Sequence, residues 1–116
     1  MLVAIAALTG GCKSTDRLAE GATFGDSARG AILIAQTGCG SCHSIKGIRG
    51  ADGQVGPPLN NIGARGFIAG VLPNTPRNMM LWIRSPQSVV PKNAMPDMGL
   101  SQRDSRDIAA YLYTLR

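Results

Sequence analysis

The chain has 116 residues, with 12 Lys and Arg against 7 Asp and Glu, one His, three Cys and a formal charge of +5. That length makes one domain, and two Phe, one Trp and two Tyr leave it a thin aromatic core. The basic residues are dispersed, without a recognition-helix or aromatic-platform pattern, which excludes nucleic acid as a partner. A modest positive excess fits a solvated surface or steering towards an acidic protein face.

The first segment, "MLVAIAALTGGC", carries no charge and is apolar over residues 2–8. That run is too short for a bilayer span, which needs roughly 20 apolar residues, and has the length of a signal-peptide apolar region. Small residues leading to Cys12 resemble the lipobox of bacterial lipoproteins, in which cleavage leaves the cysteine as the lipidated first residue. Thr9 stands where that motif prefers Leu, and no Lys or Arg precedes the run, so the alternatives are a plain secretory signal cleaved nearby, with the translation start upstream, or a frayed N-terminus. Both signal readings imply export, the placement expected here, to a bacterial periplasm or the outer face of the cytoplasmic membrane. Residues 13–25 are small and polar without a sustained period, and are expected to form a flexible tether to a domain spanning residues 26–116.

A helix is expected from "DSARGAILIAQTG", with Asp26 or Ser27 as cap, Gly38 as stop, and Ala28, Ile32, Leu33 and Ala35 on the apolar face. Residues 44–70 are rich in Gly and read as loop, with a helical turn near Asn60 to Arg65. "NTPRNMMLWIRSP" is a second helix, capped by Thr75, begun by Pro76 and stopped by Pro86. Pro91 and Pro96 break the next stretch into extended loop. "SQRDSRDIAAYLYTLR" is a third helix with a Ser101 to Asp104 cap and apolar Ile108, Tyr111, Leu112 and Leu115. No strand is apparent. The fold expected is a small all-α domain of three to five helices with long loops.

At the end of the first helix stands "CGSCH", Cys39 to His43, which holds the single histidine of the chain. Cys-x-x-Cys-His is the attachment pattern of c-type haem. Two thiols at that spacing can each form a thioether to one haem, and the following histidine lies under the iron. Such a group would also repair the shortage of apolar mass. A zinc site needs a fourth ligand, which only Cys12 or a carboxylate could supply. A thioredoxin-like pair wants a βαβ context.

With one histidine, the sixth iron ligand compatible with electron transfer is a methionine thioether, which raises the reduction potential. Met79 and Met80 sit beside Trp82 on a helix and read as core filling. Met95 and Met98 lie in the Pro-bounded loop, and residue chemistry leaves both open.

From Gly30 to Leu115 the chain resembles a class I cytochrome c, and in particular the cytochrome c domain fused to subunit II of some bacterial haem-copper oxidases. The resemblance runs through "GPPLNNIGAR", "GVLPNTPRNMMLWIRSPQ" and "NAMPDMGLSQRDSRDIAAYLYTL". It implies the small cytochrome c fold wrapped round one covalent haem. It also implies that Pro57 accepts a hydrogen bond from Nδ1 of His43, that Leu59 lines the pocket, and that Met95, four residues before Gly99, is the ligand methionine. Arg65 and Trp82 match positions facing haem propionates, and Gly30 and Tyr111 match a crossing of terminal helices, with Ile34 where many members have Phe.

The function implied is a one-electron carrier between respiratory donor and acceptor proteins, docking on an acidic face, with membrane attachment through Cys12. It is not an enzyme. A peroxidase or haem-based ligand sensor needs an open iron position, and with one histidine and scattered carboxylates there is no spare acid or base to serve it. A haem subunit fixed inside a larger oxidoreductase complex is the alternative.

Overall fold

The computed structural model describes residues 11–116, with side chains from Arg17 onward. The apolar run of residues 2–8 and the side chain of Cys12 lie outside the described residues. Five helices follow in order: α1 Gly11–Thr23, α2 Ser27–Thr37, α3 Pro76–Arg84, α4 Pro86–Val89 and α5 Gln102–Leu112. Short 3-10 turns occupy Cys39–Ser41 and Ile62–Ala64. Strands β1 Phe67–Ile68 and β2 Leu72–Pro73 pair antiparallel, with Ile68 opposite Leu72. This all-α architecture is the one expected, with the addition of that two-residue hairpin, which is too short to leave a period-2 signal.

The caps form as the sequence implies. Asp26 accepts from the Arg29 amide, Thr75 from the Asn78 amide and Ser101 from the Asp104 amide, each satisfying a backbone donor that the first turn leaves free. Gly38 ends α2 in the left-handed region at φ 80°, a conformation that costs glycine little.

The core is the meeting of α2, α3 and α5. From α5, Ile108, Ala109 and Leu112 are buried, from α2 Ile34, and from α3 Met79 and Ile83. Met79, 1 % exposed, is the core filler its helical spacing implies. The contact face of α2 differs from the one expected. Ser27, Gly30 and Ile34 are buried, while Ala28, Ile32 and Ala35 are exposed. The reason lies at Gly30, where a Cβ would overlap the backbone carbonyl of Asp107 on α5. Backbone approach, and not the tally of apolar residues, sets the rotation of α2.

The tether expected over residues 13–25 is helical instead, as α1, and its last turns pack on α5 with Ala19 and Thr23 buried. Glu20 accepts from both the amide and the hydroxyl of Ser27, at 3.2 and 3.0 Å, fastening α1 to the start of α2. Among the described side chains of α1, the buried stripe is Ala19 and Thr23, too small and too polar to register as hydrophobic periodicity.

The carboxylates are not all scattered as the sequence suggested. Asp107 is 5 % exposed and accepts from the Asp26 amide at 2.8 Å and from Arg29 at 2.5 Å, while Arg29 also reaches Asp104 at 2.6 Å. One guanidinium thus binds α2 to two successive turns of α5.

Candidate functional site

The glycine stop of α2 turns the chain into the 3-10 turn that carries Cys39. The carbonyl of Cys39 accepts from the amides of Cys42 and His43 at 3.2 and 3.0 Å, which places Cys39, Cys42 and His43 on one tight turn. They stand just past α2 and not on its last turn. The following loop is tied to this turn by three amide bonds: Gly53 to the Gly40 carbonyl, Gly56 to Cys42 and Leu59 to Ser44. The loop must run close, since a Cβ on Gly56 would collide with the imidazole of His43. Cys39 and Cys42 are both free thiols and half-buried, and burial pushes the Cys39 thiol up from its ordinary value.

Nδ1 of His43 lies 2.7 Å from the carbonyl oxygen of Pro57. A carbonyl only accepts, so Nδ1 must carry the proton. In the neutral ring, Nε2 therefore keeps its lone pair free for a metal.

The turn forms one wall of a cavity of 560 Å³. The residues that the sequence assigns to the haem site all line it: Cys39, Cys42, His43, Pro57, Leu59, Arg65, Trp82 and Met95. Met98 also reaches the cavity but is 44 % exposed. The sequence reading missed that the core itself faces this space. Ile34, Ile68, Met79, Ile83, Ile108 and Leu112 are buried in the domain and also line the cavity. Their apolar periodicity is visible in the sequence, but which apolar residues face a cofactor and which face each other depends on the path of the loops.

Arg65 is held at the cavity by Asn61, whose Oδ1 accepts from Nε at 3.0 Å and Nη2 at 2.8 Å, and by the Pro58 carbonyl at 2.5 Å. These acceptors are neutral. The ion pairs found among the described residues belong to Arg29, so no carboxylate among them pairs with the Arg65 guanidinium. Behind it, Asn74 donates to the carbonyls of Ile62 and Arg65 at 2.9 and 2.8 Å and accepts from the Tyr113 hydroxyl at 2.7 Å. The loop below the cavity is thereby tied to the C-terminus.

Whether these residues suit a haem can be judged from what they offer. Two thiols and a histidine with a defined tautomer supply attachment and ligation on one turn, and a methionine thioether lines the same cavity. Apolar walls on this scale contribute stability only when something apolar covers them. The walls are built for a large apolar body that completes the core. Among the described residues no three His, Cys, Asp or Glu converge as a metal site by themselves. The donor set fits a metallated macrocycle.

Residues 27–116 match the family described as Cytochrome c. The chain belongs to the cytochrome c family. It is similar to cytochrome c oxidase subunit 2 of Alkalihalophilus pseudofirmus, 36% identical over 89 residues, which are 76% of this chain and 25% of that protein. The subunit 2 proteins of Bacillus sp. and Bacillus subtilis are 32% and 30% identical over 67% and 73% of the chain, covering 23% and 24% of their own lengths. The chain thus spans about a quarter of the length of the curated relatives it matches. The class I cytochrome c resemblance carried by the sequence holds, and with it the assignment to the haem-based electron carriers. No helix among the described residues is long and apolar enough to cross a membrane.

Proposed function

We propose that this protein is a one-electron carrier with a single haem c, joined by thioethers to Cys39 and Cys42 and ligated by His43 and Met95, which delivers electrons to a terminal oxidase or a similar respiratory complex. One observation carries the reading. Two thiols, a histidine with its Nε2 lone pair free and a methionine share one apolar cavity of 560 Å³. Bound there, a haem supplies a one-electron iron couple, whose potential a thioether ligand raises.

The chain's own part is to hold and shield that group. Pro57 fixes the ring of His43, and its carbonyl dipole strengthens the imidazole as a donor. Leu59 and the buried isoleucines exclude water. Arg65, with no carboxylate partner among the described residues, brings a charge to the cavity and Trp82 an indole N–H, the partners a buried propionate requires. With His43 and Met95 both holding the iron, no position would remain on it for a substrate, which favours a carrier over a peroxidase or a ligand sensor.

The protein is exported in this reading, to the periplasm or the outer face of the cytoplasmic membrane, and lipid-anchored through Cys12. Helix α1 then leads from the anchor to the domain. Its respiratory partner presents an acidic docking face to the +5 chain. The test is the rate of electron transfer to a purified haem-copper oxidase as ionic strength is raised. A rate that falls with salt supports steering; a salt-independent rate removes the acidic face, and no transfer removes the oxidase.

A second reading is favoured by the relatives, in which the matching region is about a quarter of a larger oxidase subunit. In that reading the protein is a haem subunit fixed in a complex. Copurification of the chain with an oxidoreductase through gel filtration at high salt distinguishes it from a shuttle.

A further inference from the structure

The loop between α4 and Met95 is held by one side chain that plays no part in the attachment site. Gln87, on α4, donates through Nε2 to the carbonyls of Asn93 at 2.8 Å and Met95 at 2.7 Å. Its Oε1 accepts from the Lys92 amide at 3.0 Å, and its own amide donates to Oδ1 of Asp97 at 3.1 Å. One half-buried residue therefore fixes positions 92, 93, 95 and 97. Asn93 completes the arrangement: its Oδ1 accepts from the Met95 amide at 2.7 Å, and its Nδ2 donates to the carbonyls of Pro86 and Val90 at 3.1 and 2.7 Å. Met95 is thus bonded at both its amide and its carbonyl, while the exposed Met98 is bonded by neither side chain.

The loop is also strained. Lys92 stands in the left-handed region at φ 65°, a conformation that costs a residue with a Cβ about 1 kcal/mol. It persists because the bond from its amide to Gln87 holds it. Without that bond and the two donated by Nε2, α4 reaches the Met95 segment only through backbone groups, the Gln87 amide to Asp97 and the Pro86 carbonyl to Asn93.

Resting on the reading of Met95 as an iron ligand, we propose that Gln87 is the positioning residue of that ligand. Its carboxamide clamps the loop so that the thioether stays on the iron and outside molecules are kept off. Met95 itself gives only the sulfur. How long that sulfur stays is set from α4.

The test compares the wild type with Gln87→Glu, Gln87→Met, Ser88→Ala and Met95→Ala as haem-loaded ferric proteins. The readouts are the weak long-wavelength methionine-to-iron band and the rate of imidazole binding. Glu keeps the length but replaces the two donors by an acceptor facing two carbonyls; Met removes all three side-chain bonds without adding charge. Ser88 lies on the same helix and bonds only the Ser85 carbonyl, so its variant is the control. Both Gln87 variants should bind imidazole about tenfold faster, the order expected from losing a pair of neutral hydrogen bonds. They should also show a weakened band and a lowered reduction potential, at unchanged haem content and helicity, while Ser88→Ala behaves as wild type. Wild-type rates and band in both Gln87 variants, with the band lost in Met95→Ala, would overturn the clamp and leave the ligand in place. A band that survives in Met95→Ala would overturn the ligand reading and the clamp with it.

Discussion

Nδ1 of His43 and the carbonyl oxygen of Pro57 are 2.7 Å apart, on a loop whose approach is permitted by a glycine directly before the proline. The bond and the glycine belong together. A Cβ on Gly56 would occupy the space of the imidazole ring, and the ring could yield only by giving up Pro57. Gly56→Ala is therefore expected to leave the helices intact by circular dichroism while reducing covalent haem content several-fold. Unchanged haem content and an unchanged spectrum in this variant would mean that the ring is not held as described.

The crossing of α2 and α5 makes the matching prediction for stability. At Gly30 a methyl group would meet the Asp107 carbonyl, a backbone atom that cannot rotate away. Gly30→Ala gains about 1 kcal/mol of helix propensity but must separate the helices, so a net loss of about 2 kcal/mol is expected. Urea unfolding of the haem-loaded protein measures it, and a variant as stable as wild type would refute the close approach.

The contrast between these two glycines marks how far the amino-acid sequence is legible. The roles of Pro57 and Leu59 come only from the resemblance that "GPPL" carries, since the bond between His43 and Pro57 joins residues 14 apart. "CGSCH", by contrast, is a local pattern whose turn closes within a few residues, and so the attachment turn can be read directly. The helix caps are legible for the same reason. The rotation of α2 is not, because a glycine contact outweighs Ile32, which is 57% exposed. Nor are helix α1, whose buried residues among the described side chains are Ala19 and Thr23, and the Arg29 cluster, which joins residues 75 and 78 positions apart. Gln87 gives no signal at all, since a polar residue after a proline reads as ordinary loop. Pairings distant in sequence are decided by packing, which no short pattern records.

Asp107 makes stability depend on acid. Burial alone would raise its carboxyl, but the Asp26 amide and the Arg29 guanidinium outweigh burial and hold it below the ordinary aspartate value. The folded state then keeps Asp107 ionised at a pH where the unfolded chain has taken up a proton. The contribution is complete above about pH 4 and is lost as pH falls through the lowered value. Asp107→Asn should cost about 1–2 kcal/mol near neutral pH and show a shallower loss of stability on acidification. Urea midpoints at about pH 7 and about pH 3 check this; parallel losses in the two proteins would contradict it.

At the alkaline end, burial pushes the Tyr113 phenol up to about 12, with the charge of Arg116 opposing in part. The folded state retains a proton that the unfolded chain releases near pH 10. The contribution of Tyr113 is thus present below about pH 10 and lost as pH rises through its folded value. In ultraviolet phenolate titration, the signal lost in Tyr113→Phe should be one that ionises well above about pH 10. If the lost signal lies near pH 10 in the native protein, the burial of Tyr113 is wrong.

The proposal that Cys39, Cys42, His43 and Met95 enclose one covalent haem is tested most directly by the absorption spectrum of the purified protein, oxidised and reduced, with a pyridine haemochrome assay. The account predicts one haem per chain that resists acidic solvent extraction, a haemochrome of the two-thioether type, and the weak methionine-to-ferric-iron band at long wavelength. A protein purified from a host able to attach c-type haem, yet carrying none, would contradict the account at its root.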